Sequence, residues 1–84
     1  MKWILIWTRP ALKDMKKLDP RLARRIREGM VDLAESGGGN VVKLKGTSPP
    51  EWRLRVGDHR VFFQFQGDAQ EIRILRVRRR DRAY

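Results

Sequence analysis

The spacing of apolar residues changes at the glycine run Gly37-Gly38-Gly39, and this change constrains the fold more than any other feature. Before the glycines, apolar residues recur every three or four positions, as on one face of an α-helix. These residues are Leu18, Leu22, Ile26, Met30 and Leu33. After the glycines, apolar and polar residues alternate, as in half-buried strands. Helices followed by a run of strands predict the α+β class.

Cap and turn residues divide the two halves into elements. Thr8 and Asp19 are N-cap residues, and each is followed by a proline that fits the first turn of a helix, so we predict helices over 9–18 and 20–36. The apolar stretch 2–7 predicts a first strand buried on both faces. Short turns separate four later strands, predicted at 41–45, 51–56, 60–65 and 72–77. We therefore expect one domain, 1–84, in which the N-terminal strand and a helical hairpin pack on one face of a mostly antiparallel sheet.

Charge indicates the kind of partner. Lys and Arg number 20 against 10 acidic residues, and the net charge of +10 attracts polyanions such as RNA, DNA or an acidic protein. With no cysteine and a single histidine, a disulfide scaffold or a thiolate metal site is excluded, and we expect no metal or other cofactor. The apolar run near the start is too short to span a membrane, so we expect a cytoplasmic protein with no membrane contact.

Strand alternation predicts where several arginines point. If Trp52 and Leu54 face the helices, Arg53 and Arg55 face the other side of the sheet. A tight turn at Gly57-Asp58 would place Arg60 beside Arg55 on that side. Neighbouring like charges repel, and a bound phosphate chain would offset the repulsion. The alternative is a set of ordinary exposed arginines with dispersed counter-ions.

Other residues are expected near these arginines. Phe62 either stacks on a base or packs against Leu75 at the sheet edge. The C-terminal stretch 76–84 is predicted to end the last strand, and the alternative is a disordered basic arm. Further basic residues are predicted to contact RNA: Lys43, Lys45, His59, Arg78 and Arg79.

Three segments carry a resemblance to a known family. The segments KLKG at 43–46, WRLRVGDHRV at 52–61 and VRRRDRAY at 77–84 resemble the RelE/ParE superfamily of toxins from toxin–antitoxin systems. The resemblance implies a RelE-like fold and an acidic antitoxin partner lying along the helical hairpin and the sheet edge. RelE-type members are ribosome-dependent, metal-independent ribonucleases that cut mRNA in the ribosomal A site. ParE-type members instead poison DNA gyrase.

The resemblance also implies catalytic positions, which favour the ribonuclease branch. They are filled here by Arg53, Arg55, Arg60, Arg80 and Tyr84. We expect Arg60 and Arg80 to hold the scissile phosphate, and Tyr84 to stack on a base or move a proton. Arg53 and Arg55 would orient the RNA backbone.

One departure from the family pattern concerns the general base. The strand pair is often lysine in the best-studied branch, whereas arginine stays protonated and is a poor base. His59 or Lys45 is the remaining candidate for that role. A gyrase inhibitor and a catalytically weak nucleic-acid-binding relic therefore remain alternatives.

Overall fold

The structure, a computed structural model, describes residues 2–80. Its elements are β1 (Ile4–Trp7), α1 (Arg9–Lys16), α2 (Pro20–Ser36), β2 (Asn40–Lys43), β3 (Trp52–Val56), β4 (His59–Gln66) and β5 (Glu71–Arg79). The α+β class is confirmed, with the helices before the strands that follow the glycine run. None of the helices in residues 2–80 is long and apolar enough to cross a membrane.

The five strands form one sheet in the order β1-β5-β4-β3-β2. Only β1 and β5 pair in parallel; the other neighbours are antiparallel. The predicted turn at Gly57-Asp58 joins β3 to β4, and Gly57 has a φ of 59°, which glycine adopts without steric cost. This tight turn places Arg55 directly opposite Arg60.

Both helices lie on one face of the sheet, where the hydrophobic core forms. The α2 stripe contributes Ile26, Met30 and Leu33, which are buried against sheet residues such as Leu54 and Phe63. Burying one such side chain contributes about 1.5–3 kcal/mol, so the stripe holds α2 firmly on the sheet. The helical hairpin therefore covers one face and leaves the other face of β3, β4 and β5 for polar side chains.

The structure corrects the prediction for the first strand. β1 lies at the edge of the sheet and is half-buried, with Ile4 exposed, because it pairs with β5 alone. Its pairing ends at Trp7 opposite Ile74, whereas β5 continues to Arg79. The apolar run at the start of the chain therefore marks an edge strand packed against the helices rather than a central strand.

Thr8, the N-cap of α1, and Asp14 within α1 make hydrogen bonds to the backbone of β5 where the pairing with β1 ends. The Thr8 hydroxyl donates to the carbonyl of Ile74 at 2.6 Å, and the Asp14 carboxylate accepts the backbone N–H of Val77 at 3.0 Å. α1 ends at Lys16, two residues earlier than predicted. The residue before a proline disfavours the helical conformation, and Asp19 accordingly has an extended ψ of 136°.

Candidate nucleic-acid interface

The uncovered face of the sheet carries arginines from three adjacent strands. Arg55 on β3, Arg60 on β4 and Arg78 on β5 stand directly opposite one another, and we call them the arginine row. Residues directly opposite in antiparallel strands share a face of the sheet, with Cβ atoms about 4.5–5.5 Å apart. The alternation therefore brings Arg55 and Arg60 together on the open face, as the sequence predicts.

A β-bulge in β5 is the feature that brings Arg78 to this face. The register shifts between Phe62 and Phe63, so that Leu75 is an extra residue between the partners Ile74 and Arg76. Without the bulge, a period of two would place Ile74, Arg76 and Arg78 on one face. The bulge reverses the alternation, which leaves Ile74 in the core and turns both arginines outward.

Arg60, at the centre of the row, has two buried nitrogens without a partner. Within residues 2–80, its Nε and Nη1 are the buried side-chain polar atoms that make no hydrogen bond. Leaving a buried donor unpaired costs about 1–3 kcal/mol, and more for a charged group. A guanidinium fork binds two oxygens of a phosphate or carboxylate at once, so this position is suited to an anion.

The neighbours of Arg60 are held by other groups. Arg78 donates through Nη1 to the carboxylate of Asp14, and also to the carbonyl of Val77 at 2.9 Å. Arg55 donates through Nε to the carbonyl of Gly57 at 3.2 Å. The cost of placing three like charges side by side is thus reduced at one flank by the Asp14 carboxylate.

The next set of paired residues on the same face, two residues further along each strand, forms a second row. It contains Arg53, Phe62 and Arg76. The guanidinium of Arg76 lies 4.3 Å from the centroid of the Phe62 ring and donates to Glu51 Oε1 at 2.9 Å. Phe62 is only 1% exposed. Its ring is therefore covered by protein and does not offer a surface for stacking a base, which corrects one of the two predicted roles.

Two predicted RNA-contacting residues, Lys43 and His59, stand one residue out of phase with the outward-facing arginines. Lys43 stands opposite Trp52, a core-facing residue, and its Nζ lies 5.7 Å from the centroid of a Trp52 ring. The register of β2 gives Lys43 the phase of the helix-covered face, but Lys43 also lines a surface pocket together with Arg53 and Arg76, so its contact with RNA stays a prediction. His59 stands opposite Val56 and Arg79, one residue out of phase with Arg60.

The environment of His59 favours its neutral form. Partial burial, and secondly the positive charge of Arg79, lower the pKa of His59 from its ordinary value of 6.5, while the carboxylate of Asp58 opposes the shift. A neutral imidazole can accept a proton. His59 and Arg60 are adjacent in β4 and therefore face opposite sides of the sheet, so His59 is not grouped with the arginine row.

The remaining predicted residues lie at the ends of elements. Lys45 is exposed just after β2. Arg80 is exposed directly after β5, and its backbone N–H donates to the carbonyl of Asp58 at 2.7 Å, which fixes it beside the β3–β4 turn. Tyr84 lies outside the described residues. Among residues 2–80, no three His, Asp or Glu side chains are grouped so that they could hold a metal ion.

Solved structures of toxins share this fold. The RelE–RelB complex from Pyrococcus horikoshii matches with a TM-score of 0.80 and 27% identity, over 99% of this chain and 100% of that chain. The isolated RelE toxin of E. coli matches with a TM-score of 0.78 and 20% identity, over 96% and 87%. The RelBE2 toxin–antitoxin complex of Mycobacterium tuberculosis matches with a TM-score of 0.77 and 23% identity, over 95% and 100%. These likenesses confirm the RelE-like fold.

Sequence comparison gives the family. No curated protein sequence matches the chain. The sequence model of the family described as the ParE toxin of type II toxin–antitoxin systems matches residues 5–84. Because that match spans nearly the whole chain, and the fold is that of RelE toxins, this chain belongs to the RelE/ParE superfamily of type II toxins.

Proposed function

We propose that this toxin is a metal-independent endoribonuclease that cuts mRNA in the ribosomal A site and thereby inhibits translation in the cytoplasm. The observation that carries the proposal is Arg60, whose buried nitrogens lack a partner at the centre of an outward-facing arginine row. The Arg60 side chain as a whole is only partly buried, so its guanidinium can turn toward the open face and meet the oxygens of an RNA phosphate. The negative charge of the phosphate also offsets the repulsion within the row.

The proposed reaction is an attack of the ribose 2′-oxygen on the adjacent phosphorus. The bond from phosphorus to the 5′-oxygen breaks, and the products are a 2′,3′-cyclic phosphate and a free 5′-hydroxyl. A base must take the 2′-OH proton, and the leaving 5′-oxygen must receive one. Arg60, with Arg80 and Arg55 near the same end of the sheet, stabilises the added charge on the phosphoryl oxygens.

The chain's own candidates for proton transfer are few. Guanidinium groups remain protonated, so Arg53 and Arg55 orient the backbone and do not act as bases. His59 has the opposite phase, which leaves Lys45 and Tyr84 as the proposed groups for moving protons. A site with such weak bases depends on accurate alignment of the 2′-oxygen, and the ribosome can supply that alignment by holding the mRNA.

The proposal includes an acidic antitoxin as the second partner. Two of the three matched structures named above are complexes of a RelE-type toxin with its antitoxin. A net charge of +10 favours a polypeptide of opposite charge, and the complementary charges would steer association. In this proposal the antitoxin lies along the helical hairpin and the sheet edge.

A second candidate function is inhibition of DNA gyrase. The observation that favours it is the family match itself, which is to the ParE branch of the superfamily. Under this alternative, the arginine row would contact the enzyme or its DNA and would perform no chemistry.

Purified toxin, programmed ribosomes and a labelled mRNA test the proposal. Arg60→Ala is expected to lower the cleavage rate by about 10²–10³-fold, as the loss of one charge-stabilising donor does. Arg60→Lys is expected to recover only part of the rate, because it restores the charge without the two-pronged fork. The matched control is Arg24→Ala, which removes an exposed charge on α2 and should leave cleavage unchanged.

Two results separate the candidates. If Arg60→Ala cuts mRNA as fast as the wild type, the proposed role of Arg60 is refuted. If the wild type leaves mRNA intact on the ribosome and blocks supercoiling by purified gyrase, the second function replaces the first.

A further inference from the structure

A pocket of about 500 Å³ opens on the uncovered face beside the second row. Its apolar wall comes from Val42 on β2 and Leu44 just after it, and the polar residues Lys43, Lys45 and Thr47 also line it. Arg76 and Arg53 line the side nearest the centre of the sheet. An apolar pocket edged by a few polar groups is the usual form of a small-ligand site.

The Arg76 side of this pocket is held in place by three contacts. Phe62 supports the guanidinium from below, and Glu51 Oε1 accepts one of its N–H groups at 2.9 Å. Glu51 is itself positioned, since its backbone N–H donates to the hydroxyl of Thr47 at 2.8 Å. The Phe62 ring is itself covered, so the planar group that a base could contact at this side of the pocket is the guanidinium of Arg76. Guanidinium planes stack on nucleobases.

The pocket lies one nucleotide step from the proposed phosphate position. Phe62 follows Arg60 by two residues on β4, which is about 7 Å along a strand. The surrounding face is strongly cationic, with Arg53, Arg60 and Arg76 among its side chains. A single-stranded nucleic acid with its phosphate on Arg60 therefore has an apolar recess within reach of the adjoining base.

We propose that this pocket receives the nucleobase next to the phosphate bound by Arg60. The base packs between the apolar wall of Val42 and Leu44 and the guanidinium plane of Arg76. Glu51 acts as a positioning residue, because it holds Arg76 flat without touching the base. The inference rests on the proposed function, since it takes RNA as the occupant of the open face.

Binding of a short single-stranded RNA, compared with the same RNA lacking one base, tests the pocket directly. Fluorescence anisotropy with the purified full-length toxin gives both dissociation constants, and their ratio reports the contribution of the base. We expect that ratio to be about tenfold for the wild type, a size typical of one stacked base. The position of the missing base is varied along the RNA. Binding should weaken when the missing base is at one particular position.

Two pairs of variants locate the effect. Glu51→Ala should reduce the ratio to near one, although removing a negative charge would by itself strengthen RNA binding; Glu51→Gln, which can still accept a hydrogen bond, should keep most of the ratio. Val42→Arg should fill the pocket and lower the ratio. Val31→Arg is its matched control, since Val31 is 41% exposed on α2 and Val42 is 43% exposed on β2.

The possible failures of the two proposals differ. If the wild type binds no RNA, or if Arg60→Ala leaves both affinities unchanged, the proposed function fails and the pocket inference fails with it. If Arg60→Ala weakens both RNAs while the wild-type ratio is one, or while Val42→Arg keeps the full ratio, only the pocket inference is overturned. An antitoxin segment as the true occupant would appear as weaker antitoxin binding by Val42→Arg with an unchanged ratio.

Discussion

Replacement of Asp14 tests how the last strand is held. β1 pairs with β5 only as far as Ile74, and beyond that point the Asp14 carboxylate accepts the N–H of Val77 at 3.0 Å and binds the guanidinium of Arg78. The Asp14 side chain is 18% exposed, so water does not readily replace it. We therefore expect Asp14→Ala to destabilise the fold more than a typical surface substitution.

The two contacts of Asp14 contribute unequal amounts. A hydrogen bond to a charged acceptor contributes about 1.5–3 kcal/mol. The ion pair adds only about 0.5 kcal/mol, because the Arg78 side chain is 41% exposed and solvent screens the charges. Asp14→Ala should thus cost about 2–3.5 kcal/mol. Asp14→Asn keeps an oxygen for Val77 and should cost about 1 kcal/mol.

Urea unfolding followed by fluorescence of the three tryptophans measures these differences. In a domain of this size, a loss of about 2 kcal/mol lowers the melting temperature by roughly 8–16 °C. Asp32→Ala is the control, since it removes an exposed acidic side chain from α2 and should change stability by less than about 0.5 kcal/mol. Equal stabilities for Asp14→Ala and Asp14→Asn would refute the backbone contact as the main contribution.

Two further predictions concern stability. Gly39→Ala should cost about 2–3 kcal/mol, because φ at Gly39 is +121° and an added Cβ would lie 2.7 Å from a Leu54 methyl carbon. Gly57→Ala should cost only about 1 kcal/mol, because φ is +59° and the added Cβ would make only an ordinary contact, 3.7 Å from the Arg25 guanidinium nitrogens. Equal urea midpoints for the two variants would contradict this. His59 has a pKa lowered by burial and by Arg79, so the unfolded chain binds more protons and stability should fall as pH drops below 6.5 through the folded-state pKa. His59→Gln should flatten that part of the stability–pH curve, and an unchanged curve would rule out this contribution.

Strand phase could be predicted where the pattern was unambiguous. In β3, apolar and charged residues alternate, which placed Arg53 and Arg55 on the open face as observed. In β2, Val41 and Val42 are both β-branched, and their order does not say which one faces the core. The pairing of β2 with β3 shows that Val41 faces the core, because Val41 stands opposite buried Leu54. The phase of Lys43 likewise follows from this pairing and not from the sequence pattern.

The bulge in β5 left a signal in the sequence that an assumption of regular alternation misses. Ile72 and Ile74 are two residues apart, but the apolar pattern then resumes one residue later, at Leu75 and Val77. That extra step is the position of Leu75 in the bulge. Two adjacent apolar residues within an otherwise alternating strand thus indicate a bulge, after which the arginines change face.

The sequence by itself determined the elements with local causes: the 17-residue helix after Asp19, the hairpin turn at Gly57-Asp58 and the alternation of β3. Each follows from which side chains avoid water and which backbone angles a residue tolerates, and these are properties of neighbouring residues. The tertiary structure decided which charges are neutralised. Asp14 binds Arg78 across 64 residues, and two nitrogens of Arg60 are left buried without a partner. Strand order and register set those distances, because a charge interacts with whichever group the fold brings close to it.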